Sequence, residues 1–234
     1  MKKLKPLYEG KAKILWETDD PRHMIQEFKN DATAFDGTKH EKIEGKGVLN
    51  NRISSHLFGL LRDKGVRTHF VDKLSDNEMI VERLERLPVE VVVRNVAAGS
   101  MVKRLGIEAG RKFVPPVVEF YLKDDALHDP ILSEEHVRAL GLATEEQIAE
   151  LKRRALEVNT IMGEFLRERN IVLVDFKLEF GLKDGELVLG DEISPDTCRF
   201  HDASTGEIMD KDRFRQDLGG FIEAYNEVLN RVSS

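Results

Sequence analysis

The N-terminal third of the chain alternates short apolar runs with polar breaks. Leu7 to Glu17 reads as two strand pieces around Gly10, and Ile25 to Phe28 supplies a partner, so the chain opens on a hairpin-rich sheet. From Val48 the period lengthens. Val48, Ile53, Leu57, Leu60 and Leu61 fall close to helical spacing, and Gly65 stands where a C-terminal cap belongs. Strands near Phe70 to Leu74 and Met79 to Leu84 lead into Glu85-Arg86-Leu87-Pro88, a polar connector closed by proline that predicts a hinge. Val89 to Asn95 is a β-branched run and predicts a strand. Thr144 opens the clearest helix. It makes a capping box with Gln147, and Ile148, Leu151, Ala155, Val158, Met162 and Phe165 form one apolar stripe that reads as core. A last helix is expected over about Arg213 to Val232, with Phe214, Leu218, Phe221, Tyr225 and Leu229 at the same spacing. Strands first, then strands mixed with longer helices, predict an α+β fold rather than alternating βαβ units.

The stretch from Ile171 to Ile193, IVLVDFKLEFGLKDGELVLGDEI, departs from simple alternation. Val172, Val174, Phe176, Leu178 and Phe180 share one face. Ile171, Leu173, Asp175, Lys177 and Glu179 share the other, which puts three alternating charges on one surface. The chain turns at Lys183-Asp184-Gly185 and returns from Leu187 to the adjacent acids Asp191 and Glu192. A two-residue loop, Asp184-Gly185, would set Glu192 beside Lys177 and turn Asp191 to the apolar side. A three-residue loop with Gly185 left-handed would pair Lys177 with Asp191, and it is the expected form because it keeps Asp191 off the hydrophobic face. Both registers give a carboxylate next to Glu179. Two carboxylates on adjacent strands, completed by phosphate oxygens and waters, are what a magnesium-nucleotide site requires; the competing reading is a solvated face with surface ion pairs.

Two further segments carry candidate chemistry. In Tyr8-Glu9-Gly10-Lys11-Ala12-Lys13 a glycine lets backbone amides approach a polyanion, and two alternate lysines share one side of a strand. In Val91 to Arg104 a strand ends in Arg94, small residues follow, and Ser100 is expected to cap a short helix, so that Arg94, Ser100 and the helix amides would hold a phosphate. Arg199 is a second candidate phosphate clamp, because a planar guanidinium suits bidentate anion binding. Neither GxxxxGK[ST] nor GxGxxG occurs in the sequence.

Composition narrows the setting. The 234 residues are 41% hydrophobic, enough for a substantial core, and the longest apolar runs fall far short of the roughly 20 residues of a membrane span. MKKLKPLYEG lacks an apolar signal region, so export and membrane association are not expected. A single cysteine, Cys198, excludes an intrachain disulfide and fits a reducing cytoplasm; it reads as filler. A net charge of -7 argues against a nucleic-acid surface.

Taken in order, GKAK, PVEVVVRNVAAGSMVKRLGI, KDDALHDP, LVDFKLEFG and LGDEISPD resemble the successive motifs of the stand-alone bacterial SAICAR synthetase family, along nearly the whole chain. The resemblance implies a small N-terminal sheet domain, residues 1–84, that covers a nucleotide. It also implies a larger domain, residues 85–234, that binds metal and substrates, in a two-lobed fold distantly similar to protein kinases. It further implies the reaction, in which CAIR, L-aspartate and ATP give SAICAR, ADP and phosphate with Mg2+, in a cytoplasmic homodimer. Carried over by motif, Gly10, Lys11, Ala12 and Lys13 would lie over the phosphates, and Val81, Glu82 and Leu84 would meet adenine mainly through backbone. Glu179 and Asp191 would hold the metal, and Arg94, Ser100 and Arg199 would grip the CAIR phosphate. Asp36, Asp129, Asp175, Lys177 and Arg215 would line the aminoimidazole and aspartate end, with Lys177 and Asp175 as catalytic residues. A kinase-like phosphotransferase would share the glycine segment and the acids, but no HRD-type loop is present. A non-enzymatic nucleotide sensor would not need both acids.

Overall fold

A computed structural model describes residues 1–35 and 37–234. The chain begins with β1 (Lys3–Glu9), β2 (Lys13–Thr18), β3 (His23–Phe28), β4 (Asp31–Ala34) and β5 (Lys39–Lys42), followed by α1 (Lys46–Asp63). Then come β6 (Phe70–Lys73), β7 (Glu78–Glu82), β8 (Glu85–Val96), α2 (Gly99–Leu105), β9 (Lys112–Leu122) and β10 (Ile131–Leu132). The remainder is α3 (Glu134–Ala139), α4 (Glu145–Glu168), β11 (Ile171–Lys183), β12 (Glu186–Leu189), β13 (Cys198–Asp202), α5 (Asp212–Arg215) and α6 (Phe221–Val232).

One antiparallel sheet has the order β1-β2-β3-β7-β6; a second runs β10-β9-β8-β11-β12, with β13 also on β11; β4 and β5 form a small separate hairpin. This is the expected α+β arrangement. The segment between α1 and β6 ties the sheets together: the His69 N–H donates to the Leu189 carbonyl at 2.8 Å, and the Glu82 N–H donates to the His69 carbonyl at 2.7 Å.

The main core lies against the second sheet. Val89, Val91 and Val93 of β8 and Phe176, Leu178 and Phe180 of β11 meet Leu151, Ala155, Val158 and Met162 of α4, and Ile53, Leu57, Phe58 and Leu61 of α1 join the same cluster. Both helices end as their sequences direct. Thr144 and Gln147 form the capping box of α4, and at the end of α1 the Val66 N–H donates to the Leu61 carbonyl while the Gly65 N–H donates to Arg62, with Gly65 at φ 85°. The buried row of α4 closes on Leu166; Phe165, the expected member, is partly buried with the Arg169 guanidinium 3.6 Å over its ring.

Two boundaries differ from expectation. Glu85 to Pro88 is the first third of β8, because Glu85 and Arg86 pair with Leu182 and Gly181 of β11, and the missing N–H of Pro88 falls where that pairing shifts register. The C-terminal helix is broken in two: Asp217, Gly219 and Gly220 all take positive φ, which separates α5 from α6 and leaves Leu218 exposed.

The core reading makes a stability prediction. Leu151→Ala, at a fully buried site, is expected to cost about 2–5 kcal/mol, while Leu156→Ala on the outer face of α4 should cost less than about 1 kcal/mol. Urea unfolding of both variants measures the difference, and equal shifts would contradict the assigned helix face.

Candidate active site

Between the two sheets lies a cleft of about 620 Å³. Its floor is the cleft-facing side of β11, and a bulge makes that side. Pairing with β13 slips at Val174, so the strand changes parity there: Ile171 and Leu173 face the core before the slip, and Phe176, Leu178 and Phe180 face it after. The uniform alternation expected from Val172 onward is therefore wrong for the first residues; Val172 is exposed instead. Beyond the bulge Asp175, Lys177 and Glu179 point into the cleft as expected.

The hairpin that follows has the two-residue loop, contrary to the preferred three-residue form. Lys183 pairs with Glu186 and Phe180 with Leu189, and Asp184 and Gly185 both have positive φ, the geometry that matches strand twist in a two-residue turn. In a regular strand this register would send Asp191 to the apolar side. Asp191 escapes because its own backbone is left-handed, φ 62°, immediately after the Gly190 N–H has bonded to the Glu179 carbonyl. The Gln26 amide of β3 donates to the Asp191 carbonyl at 3.1 Å and holds that turn from the opposite sheet.

Glu179 and Asp191 thus share one pole of the cleft with several cations. Lys177 lies 2.8 Å from Glu179, 2.8 Å from Glu90 and 4.0 Å from Asp191. Lys123 pairs with Glu179 and Glu90, Arg86 reaches Glu179 at 3.1 Å, and Lys13 pairs with Asp191 and, at 3.1 Å, with Glu192. Burial alone would raise the Glu179 pKa, but Lys177, Lys123 and Lys13 hold it well below the usual range. Burial and Glu179 push Asp191 up, and Lys13 with Lys177 brings it back below its ordinary value. Burial opposes the charge on Lys177, yet Glu179, Asp191 and Glu90 hold its pKa well above normal. All three stay ionised. Lys11 and Lys13 do not share a strand face: Lys13 begins β2 and is partly buried, whereas Lys11 lies exposed in the bend before it, 2.6 Å from Asp125.

At the other pole an alternating chain of charges crosses the second sheet. Arg94 bonds to Glu119 at 2.6 Å and Asp175 at 2.9 Å; Arg199 bonds to Asp175 at 2.9 Å and Asp212 at 2.8 Å; Arg215 meets Asp212 at 2.5 Å. Arg94 is almost fully buried, so it is neither a surface ion pair nor an open cation. Ser100 does not cap α2. Its N-cap is Ala98, with no side-chain bond, because the helix begins at Gly99, two residues earlier than a Ser100 cap requires. That glycine is needed, since a methyl there would overlap the Arg199 guanidinium. Ser100 is not among the cleft-lining residues.

An apolar slot completes the cleft where Leu15, Met24, Val81, Leu84 and Phe180 converge from both sheets. Gly181 lets β8 come close, because a side chain there would strike the Glu85 carbonyl. Gly10, Ala12, Glu82 and Asp129 also line the cleft, so every expected site residue within the described structure except Ser100 is gathered there; Asp36 lies outside the described residues. Cys198 is buried and burial pushes its thiol far up, which suits an inert filler.

Sequence reasoning missed Glu90, Lys123, Gln26 and His69. Glu90 had a signal: on β8 it shares parity with Arg94, opposite Val89, Val91 and Val93, the same period-two argument that exposed Lys177. Lys123 opens the KDDALHDP motif. Gln26 and His69 had none, since they act across the gap between sheets.

Comparison with known proteins gives a consistent result. A family model described as SAICAR synthetase matches residues 6–232. The phosphoribosylaminoimidazole-succinocarboxamide synthase of Persephonella marina is 58% identical over 232 residues, covering 99% of this chain and 98% of that protein. The crystal structure of the same enzyme from Ehrlichia chaffeensis superposes with a TM-score of 0.96 at 46% identity, covering 98% of each chain. A SAICAR synthetase solved in complex with ADP superposes with a TM-score of 0.93 at 50% identity, covering 96% of each.

His69 gives the site a pH signature. Burial pushes its pKa down from 6.5 to about 4, against the pull of Asp191. Below pH 6.5 the unfolded chain binds a proton that the native ring refuses until about pH 4, so this residue's share of stability is full above 6.5 and falls as the pH drops through that window. His69→Gln is expected to flatten the stability profile between pH 6.5 and 4, by up to on the order of 3 kcal/mol. Urea unfolding of both proteins across that range checks it, and parallel profiles would show that His69 does not titrate in this way.

Proposed function

The chain belongs to the SAICAR synthetase family, and from that premise we propose how its cleft divides the work of the family's reaction. The reaction is the ATP-dependent joining of CAIR and L-aspartate into SAICAR, with release of ADP and phosphate, a step of purine biosynthesis. The observation that carries the division is the polarity of the cleft: lysines around Glu179 and Asp191 at one pole, arginines around Asp175 and Asp212 at the other.

We assign the nucleotide to the lysine pole, with adenine in the slot lined by Val81, Glu82 and Leu84 and the phosphates under Gly10, Lys11, Ala12 and Lys13. The lobe of residues 1–84 would then serve as cover and residues 85–234 as the substrate bed. The arginine pole takes CAIR, its phosphate drawn to Arg94 and Arg199 with Ser100 nearby, and Asp129 and Asp36 are assigned to the aminoimidazole and aspartate end. Glu179 and Asp191 present hard carboxylate oxygens that remain ionised while buried, a donor set that fits Mg2+. When bound, that ion supplies neutralising charge for the phosphates.

A carboxylate acylates poorly because oxide is its leaving group. The proposed route converts it: a CAIR carboxylate oxygen attacks the terminal phosphorus of ATP and ADP departs, then the aspartate amine attacks the acyl carbon, phosphate departs and the amine loses a proton. All three reactants are anionic, so their mutual repulsion is the main barrier to assembly. Lys13, Lys123 and Lys177 offset it as they exchange carboxylate partners for phosphate, and catalysis is mainly positioning and electrostatic stabilisation. We assign Lys177, held between Glu90 and Glu179, to that stabilisation, with Asp175 beside it. We place the enzyme in the cytoplasm as a homodimer. Its single cysteine suits a reducing compartment, and two-fold pairs are the commonest oligomers.

ADP release is the test. With Mg2+ and ATP it is expected only when CAIR and L-aspartate are both present, and to vanish in Glu179→Ala; release without aspartate would instead mark a phosphotransferase or ATPase. Lys177→Ala is expected to lose on the order of 10²-fold or more in turnover, by analogy with the loss of one oxyanion donor. Wild-type turnover in that variant would remove Lys177 from the mechanism.

A further inference from the structure

Glu90 of β8 and Glu179 of β11 are direct partners across the ladder, and both are buried on its cleft side. Like charges opposed in this way destabilise a sheet unless cations stand between them. Two do. Lys177 lies 2.8 Å from Oε1 of Glu90 and 2.8 Å from Oε1 of Glu179. Lys123, just beyond the end of β9, reaches the same two oxygens, at 3.2 Å on Glu90 and in close contact on Glu179. Two acids and two ammoniums thus close a ring of alternating charge. Glu179 is assigned above to the metal and the lysines to phosphate; Glu90 has no part in either.

The ring must open when Glu179 turns to a metal. Oε1 of Glu179 carries both lysines, its Oε2 carries Arg86 at 3.1 Å, and an ammonium repels a divalent cation brought to the same carboxylate. Lys177 has Asp191 at 4.0 Å as well, but that acid is assigned to the same ion. Two partly buried ammoniums deprived of Glu179 would oppose the metal unless another carboxylate held them. Glu90 already holds both, with no side chain moved. An ammonium has three N–H donors, so each lysine can keep Glu90 with one and offer another to a phosphate oxygen.

Resting on the assignment of Glu179 and Asp191 to Mg2+, we propose that Glu90 is a positioning residue for metal binding. It retains Lys177 and Lys123 when Glu179 releases them, so that one acid of the opposed pair binds the ion while the other keeps the lysines charged and in place. Glu90 itself touches neither metal nor nucleotide; it acts through the two ammoniums. The ladder explains why an acid stands there, because the position opposite Glu179 is within reach of both lysines that Glu179 gives up.

Calorimetric titration of ADP into Glu90→Gln, from Mg2+-free buffer with chelator up to saturating Mg2+, tests this. With Glu90 neutral the lysines depend on Glu179 and compete with the ion for it. The Mg2+ concentration that half-saturates its effect on ADP binding is expected to rise on the order of 10-fold or more, as removing one partner of a charge pair does. ADP binding without Mg2+ is expected to stay within about threefold of wild type or to tighten, because the same lysines are then freer for phosphate. A merely structural role would weaken both alike. Glu90→Asp, which keeps the charge, should recover part of the Mg2+ affinity. Since Glu179 still holds both lysines in the nucleotide-free protein, the thermal midpoint of Glu90→Gln should stay within about 5 °C of wild type. The proposal is overturned by a Mg2+ requirement within about twofold of wild type, by equal weakening with and without Mg2+, or by a Glu90→Gln protein that does not fold. Absence of any Mg2+ effect on ADP binding by the wild-type protein would instead sink the metal assignment of Glu179 and Asp191, so the two failures are distinguishable.

Discussion

Asp175, Lys177 and Glu179 occupy alternate positions on one strand whose other side, Phe176, Leu178 and Phe180, is core. Three charges so close to an apolar layer lose most of their hydration, at several kcal/mol for each ion left unpaired. The surrounding structure is arranged around that cost. β8 supplies Glu90 and Arg94 on one flank, β13 supplies Arg199 on the other, the end of β9 leads into Lys123, and Lys13 arrives from the opposite sheet. No partner on β11 itself could satisfy Asp175, because its oxygens need two guanidinium groups from different strands. The second sheet therefore has to place β8 and β13 on either side of β11, and that is its observed order.

This arrangement explains how a cleft for several anions stays folded without them. Acids and cations interleave, so Asp175, Lys177, Glu179, Asp191 and Arg94 each have a neighbour of opposite sign. On the proposed assignment an incoming phosphate or carboxylate exchanges with a carboxylate already in place, and the gain is the difference between two pairings.

The apolar half of the molecule sets the precision of the charged half. α4 packs along the core face of β8 and β11, and α1 fills the adjoining space beneath the same sheet. The first sheet keeps a small cluster of its own, Phe28, Met79 and Val81, and partly buried Phe70 packs against both clusters. The 67–69 bridge to β12 and the Gln26 contact to Asp191 fix the distance between the two sheets.

Much of this was legible in the sequence because it depends on local periodicity. The α4 stripe, its capping box, the Gly65 stop, the β-branched strand and the charged face of β11 all follow from spacing within a single element, and the motif order carried the family. The tertiary structure decided whatever depended on a neighbour. The bulge at Val174 exists because β13 pairs there, and it reverses the side on which Ile171 and Leu173 fall. Asp191 joins Glu179 through a left-handed backbone held by Gln26, where turn length alone pointed the other way. Arg94 became a buried link between two acids. A side chain's partner across a gap is set by the packing of distant segments, and residue order along one strand carries no record of it.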